Sequence, residues 1–241
     1  MQDVVCFLCF LLGTPNPAAS DVSALVKRLE ARYRSARTLQ ATFLERYSEN
    51  GKLVRSEAGV AYFRRPGKMR WEYEAPEKNL FLVDGKTAWF YVPADRTVTR
   101  VPAKESADWR TPLALLAGEM RVSRVCRRVE YAADAEPQSA TDAMLHCELR
   151  GTDSEARKGK ESDGNAETTG NRETVYLEVV QNSGDLVRIL IKDPGGVAIE
   201  FRFANWQTDP PVNDSLFRFQ VPRGVAIVNG ELPSGERAVN P

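Results

Sequence analysis

Histidine is almost missing from this 241-residue chain, which has a single one, His146. A metal site built from several imidazoles is therefore excluded, and Ser/His/Asp catalysis would have to run through that one side chain. His146 alternates with apolar neighbours in a strand-like run, which reads as a structural position. An excess of either charge is missing as well. Lys plus Arg and Asp plus Glu stand at 33 each, so no global field draws the chain toward nucleic acid or an anionic membrane. A phosphate-cradling glycine loop is also lacking, because Gly159-Lys160 runs into Glu161 without the upstream glycine or the hydroxyl that such a loop needs. The carboxylates are scattered over polar faces, and no two are paired across an apolar pocket as acid and base catalysis requires. The chain is read as a non-enzyme with no catalytic residue, no metal and no cofactor.

Long apolar runs are scarce. The one candidate, Val4 to Leu12, is far shorter than the ~20 residues that cross a bilayer. Followed by Gly13, Pro15, Pro17 and Ala18-Ala19-Ser20, it reads as a signal-peptide core and cleavage region over residues 1–20, although Asp3 stands where a basic residue is expected. The alternative is an apolar N-terminal strand. Cleavage after Ser20 would remove one acidic residue and leave basic groups ahead by one. It would also leave two of the four cysteines, Cys126 and Cys147. In an exported chain two thiols suggest one disulfide, with two free buried thiols as the alternative.

What is present is mostly β pattern. Val22, Leu25, Val26, Leu29 and Tyr33 recur at helical spacing, so one amphipathic helix runs from Ser20 or Asp21 to about Ser35. The period then drops to two through Leu39, Ala41, Phe43 and Tyr47, and Asn50-Gly51 supplies a tight turn before a return strand from Leu53 to Phe63. After the turn Arg65-Pro66-Gly67-Lys68, one face carries Met69, Trp71 and Tyr73. Leu80 to Val83, Asp84-Gly85 and Lys86 to Val92 form the strongest hairpin. A short helix follows, with Thr111 as N-cap, Leu113, Leu115 and Leu116 as its apolar content, and Gly118 past its end. Later strands are expected at Val122–Tyr131, Met144–Leu149, Thr174–Val180, Leu186–Ile191 and Val197–Phe203. Residues 151–172, almost without apolar side chains, read as a disordered loop, and 230–241 as a flexible tail. Between them the chain is one domain over 21–229, a size that large all-β domains routinely reach.

Two blocks carry a resemblance: Arg64-Arg65-Pro66-Gly67-Lys68-Met69-Arg70-Trp71 and Val83-Asp84-Gly85-Lys86-Thr87-Ala88-Trp89-Phe90-Tyr91-Val92-Pro93. Together with the order of elements and a C-terminal Phe217 to Val225 similar to the family's closing strand, they resemble the LolA family of periplasmic outer-membrane lipoprotein carriers. The resemblance implies a mainly β (α+β) fold, an unclosed antiparallel β-barrel with helices covering an apolar cavity. It also implies a periplasmic monomer that takes acylated lipoproteins from an inner-membrane exporter to an outer-membrane acceptor. The family's latch arginine maps onto Arg65, expected to bond acceptors around Thr111 to Gly118. Candidates for the cavity lining and lid are Met69, Trp71, Phe81, Trp89, Leu113, Leu115 and Leu116, each of which would serve equally as an ordinary core residue. The longer loop at 151–172 and Met69, where an aromatic is common, depart from the pattern. The competing readings are an acceptor or sensor module of the same fold and an exported lipid-active enzyme.

Overall fold

At Asn50 and Gly51 the backbone takes φ of +48° and +78°, the left-handed pair that a two-residue hairpin requires. Around that turn β1 (Thr38–Glu49) and β2 (Lys52–Arg64) form the longest ladder of the chain. The computed structural model describes residues 17–103, 113, 116–117, 121–150 and 173–230, with side chains from residue 21 onward. Of the expected signal peptide 1–20, loop 151–172 and tail 230–241, residues 1–16, 151–172 and 231–241 lie outside the described residues.

After β2 the chain meanders through β3 (Lys68–Ala75), β4 (Asn79–Val83), β5 (Thr87–Val92) and β6 (Thr97–Pro102), each antiparallel to the one before. A second meander comprises β7 (Cys126–Tyr131), β8 (Asp142–Leu149), β9 (Thr174–Val180), β10 (Leu186–Lys192) and β11 (Val197–Thr208). Its last strand, β11, pairs with β1, so both meanders fuse into one sheet of twelve strands, bounded by β7 on one side and β12 (Ala226–Asn229) on the other. The fold is mainly β, and the sheet is unclosed. One long helix, α1 (Pro17–Arg34), precedes it and begins four residues before Asp21.

Three local expectations are corrected. Val122–Val125 forms a turn of helix rather than strand, because the Val122 amide donates to Glu30 Oε1 of α1 at 2.8 Å and β7 starts only at Cys126. Strand β6 lies outside the expected set; Thr-Val-Thr-Arg-Val-Pro has little bulky content, yet it pairs on both sides. Phe217 to Val225 does not make a closing strand. The Asn213 side chain accepts from the Ser215 amide and starts a 3-10 turn, Asp214–Phe217. The chain then straps across the outer face of β2 to β5, and only β12 pairs, parallel to β6. Under the strap Arg64 bonds Asp214 and the Val212 carbonyl, Arg70 donates to the Leu216 carbonyl, and Phe217 buries fully.

Side-chain parity divides the sheet. Phe63, Met69, Val83, Ala88 and Val101 lie in one register row, and Ala61, Trp71, Phe81 and Phe90 in the next, all on the inner face that holds the main apolar core. Trp71 of β3 touches Phe201 of β11, with ring centroids 5.4 Å apart, although two strands lie between them. At about 4.8 Å per strand a flat sheet would hold β3 and β11 ~14 Å apart. Small residues between them, Ala41, Gly59 and Ala61, make room for the rings to lean together over the intervening strands. Gly59 is also required by backbone approach, since a Cβ there would stand 1.8 Å from the Glu72 carbonyl oxygen.

Candidate functional site

The inner face is an aromatic floor. Phe43, Phe63, Phe201 and Phe203 surround Trp71 at centroid distances of 4.7, 5.5, 5.4 and 6.1 Å, mostly edge to face. Such pairs add to the area they bury and fix ring orientation. The apolar stripe of α1, Val22, Leu25, Leu29 and Tyr33, belongs to the same cluster, as do Leu113, Leu116 and Ala117 of a short helical segment. Helical elements therefore pack against this face.

Polar ties hold α1 by its ends and flanks. Arg32 Nε pairs with Asp185 Oδ1 at 2.6 Å, Arg28 bonds the Gln181 carbonyl, and the Leu186 amide donates to Tyr33 Oη at 3.0 Å. Burial pushes the Tyr33 hydroxyl well above its ordinary pKa, so it stays protonated. The β9–β10 turn can lie flat on the helix because Gly184 has no side chain; a Cβ would meet the Arg28 carbonyl oxygen at 2.7 Å.

Arg65 reaches the end of this helix. Its Nη1 donates to the carbonyls of Arg34 and Ala36, each at 2.9 Å. From the same turn Gly67 N–H donates to the Ala117 carbonyl of the short helical segment at 2.9 Å. The Arg-Pro-Gly turn thus touches both helical elements.

Of the residues nominated from the sequence, Met69, Trp71, Phe81, Leu113 and Leu116 all belong to the inner cluster. Leu115 lies outside the described residues. Trp89 is corrected: it shares a row with Leu82 and Arg100 on the outer face, where its ring stacks on Phe219 of the strap at 5.3 Å and its Nε1 donates to Asp84 Oδ2. Strand parity gives the inner position to Phe90 instead. Cys126 and Cys147 are joined by a disulfide between β7 and β8, with Cα atoms 5.3 Å apart. His146 faces outward, half-buried beside Glu130 and the Tyr176 ring.

The sequence reading passes over Trp206. Alternation from Phe201 and Phe203 would turn it outward, but Asn205 takes a positive φ of 55° and the register with β1 shifts there. The extra residue turns Trp206 inward, against Tyr33 at 5.1 Å and with Nε1 on the Leu186 carbonyl at 2.8 Å. An Asn one residue before a Trp in a strand-like run is the available signal.

Toward the β1–β2 turn the inner face becomes polar. Glu45 is buried opposite Glu57, Tyr73 Oη donates to Glu45 Oε2 at 2.8 Å, and Arg55 pairs with Glu57 at 2.8 Å and lies over Tyr47. Asn79, opposite Tyr73, is buried too.

Residues 34–144, from the end of α1 into β8, match the family model described as outer membrane lipoprotein carrier protein LolA. A curated outer-membrane lipoprotein carrier protein of Methylococcus capsulatus is 31% identical over 205 residues, 83% of this chain and 85% of its own. One from Chromobacterium violaceum is 30% identical over 217 residues, 89% of this chain and 92% of its own. Among solved structures, an uncharacterized conserved protein of Thermus thermophilus overlaps 86% of this chain and 98% of its own, at 14% identity and a TM-score of 0.49. With about 30% identity to curated carriers sustained over most of its length, the chain belongs to the LolA family of outer membrane lipoprotein carrier proteins.

Proposed function

We propose that this protein is a periplasmic carrier that holds the acyl chains of lipoproteins between its aromatic inner face and the helical elements packed on it. In this reading it receives them from an inner-membrane exporter, surrenders them to an outer-membrane acceptor, works as a monomer and performs no catalysis. The observation that carries the reading is the inner face itself, a row of rings centred on Trp71 in an unclosed sheet, with α1 packed on it by an apolar stripe and tied at its end and flank by polar bonds. Water penalises each exposed methylene by about 0.8 kcal/mol, so an anchor with several acyl chains crosses an aqueous space only when an apolar surface covers it.

Release follows from how the helix is attached. Packing alone would make opening costly in proportion to area, whereas hydrogen bonds at helix ends exchange for water at about 1 kcal/mol each. Acyl chains that take the place of the α1 stripe on the floor offset the packing lost on opening, so a few such bonds set the remaining gap that cargo or a partner must supply. Membership of a carrier family supports the same role. Native mass spectrometry of protein isolated from the envelope tests it. Co-purifying lipid or acylated protein is the expected result, together with transfer to acceptor membranes in a reconstituted assay. A protein that binds acylated polypeptide but never gives it up would instead be an acceptor or sensor of the same fold.

A further inference from the structure

The inner face is not uniformly apolar, and two of its buried polar atoms lack partners among the described residues. Asn79 is 5% exposed and its Oδ1 has no hydrogen bond; Trp71 is 1% exposed and its Nε1 has none. A buried amide oxygen or indole N–H gives up its water without compensation unless something binds to it, so native proteins seldom leave such atoms unmet. Asn79 borders the polar end of the floor, and Trp71 lies two register positions from it along the β3–β4 ladder. Trp71 and Tyr73 both touch the Phe43 ring, and Asn79 stands opposite Tyr73, whose hydroxyl donates to the buried Glu45 carboxylate.

We propose that Asn79, Trp71, Tyr73 and Glu45 form a subsite for the polar head of the lipid anchor. This deepens, and rests on, the reading of the inner face as an acyl-binding surface. The subsite is bipolar: Asn79 Oδ1 and the Glu45 carboxylate accept hydrogen bonds, while the indole N–H gives one. Its complement is a neutral head that carries an amide N–H next to ester or amide carbonyls. A lipid ending in a carboxylate or phosphate brings like charge toward the buried Glu45 and is disfavoured. The apolar floor would then hold tails of any such lipid, and the polar end would choose among heads. It also orients the cargo, head toward the β1–β2 turn and tails toward the Arg65 end.

The test compares two probes by quenching of intrinsic tryptophan fluorescence, on wild type and on Asn79→Leu and Glu45→Gln. One probe is a synthetic lipopeptide with an N-acylated, diacylglyceryl cysteine; the other is palmitate. Wild type is expected to prefer the lipopeptide. Asn79→Leu should cut the ratio of the two affinities by ~5–10-fold, the net size of one ordinary hydrogen bond. Glu45→Gln keeps the shape of the side chain and should cut the same ratio by improving palmitate binding. Equal shifts for both probes, or an unchanged ratio in both variants, would overturn the subsite while leaving acyl binding intact. If wild type binds neither probe, the acyl-carrier reading falls, and this inference with it. Should Asn79→Leu fail to fold, Glu45→Gln alone decides, since it removes a charge without removing volume.

Discussion

Replacing Arg65 with leucine should free the last turn of α1 without unfolding the sheet. The guanidinium donates to two carbonyls, those of Arg34 and Ala36, where the helix has run out of partners of its own. Bonds from a charged donor contribute ~1.5–3 kcal/mol, but both here come from one nitrogen, so we take about 2 kcal/mol for the pair. At 1.4 kcal/mol per factor of ten, that raises the population with the helix end detached by roughly 30-fold. Hydrogen exchange followed by mass spectrometry reads this directly: amides around Leu29 to Arg37 should exchange ~30-fold faster in Arg65→Leu, and by less in Arg65→Lys, while β1 and β2 stay protected. In a transfer assay the same variant should accept lipoprotein but pass it on poorly. Unchanged exchange in α1 would refute the reasoning and leave Arg32–Asp185 and Tyr33 as the groups that hold the helix.

The Cys126–Cys147 bridge closes a loop with a sequence separation of 21 residues, so by chain entropy it contributes roughly 3 kcal/mol. Cys126→Ser/Cys147→Ser should therefore melt about 6–12 °C below wild type, and reductant should no longer affect it; equal melting temperatures would refute this. On the outer face Arg188 joins the buried Glu178 and Glu200. Arg188→Met strands a buried charge and should lose ~3–5 kcal/mol in chemical denaturation, whereas Glu178→Leu/Arg188→Met should recover much of it. Burial alone would raise the pKa of Glu200, yet hydrogen bonds from Arg202 and Arg188 hold it below the ordinary carboxylate value. Its stabilisation is thus complete above that value and fades as pH falls through the depressed one, so wild type should lose more stability than Glu200→Gln on acidification. Parallel stability curves for the two proteins would contradict that assignment.

Most of the sheet is readable in the sequence because its turns and alternation are strong. Asn50-Gly51, Asp84-Gly85 and the Phe43, Trp71 and Phe81 parity lead to β1 through β5 and to the ring floor. The failures share a cause, which is that neighbours distant in sequence decide the outcome. Trp89 looks like lining because it is large and apolar, but the strap that covers it on the outer face begins more than a hundred residues later. Trp206 escapes notice because one left-handed Asn reverses parity, and Val122 leaves its strand because Glu30 captures its amide. The polar ties of α1 are equally hidden, since a sequence does not say which carbonyl an arginine will meet.

The junction of β1 with β11 has a consequence for how the chain acquires its shape. Every other antiparallel ladder joins strands consecutive along the chain, but this one brings together residues such as Thr42 and Ala204, 162 positions apart. Two ribbons can each grow by short-range zipping, whereas their union must await a long-range encounter with a large entropic cost. During synthesis the first ribbon emerges well before the second, with β1 as a long bare edge whose inner face carries Leu39, Phe43 and Tyr47. Such an edge invites pairing with another chain. The rate of that single encounter, set against nascent-chain concentration, would decide the yield of folded protein.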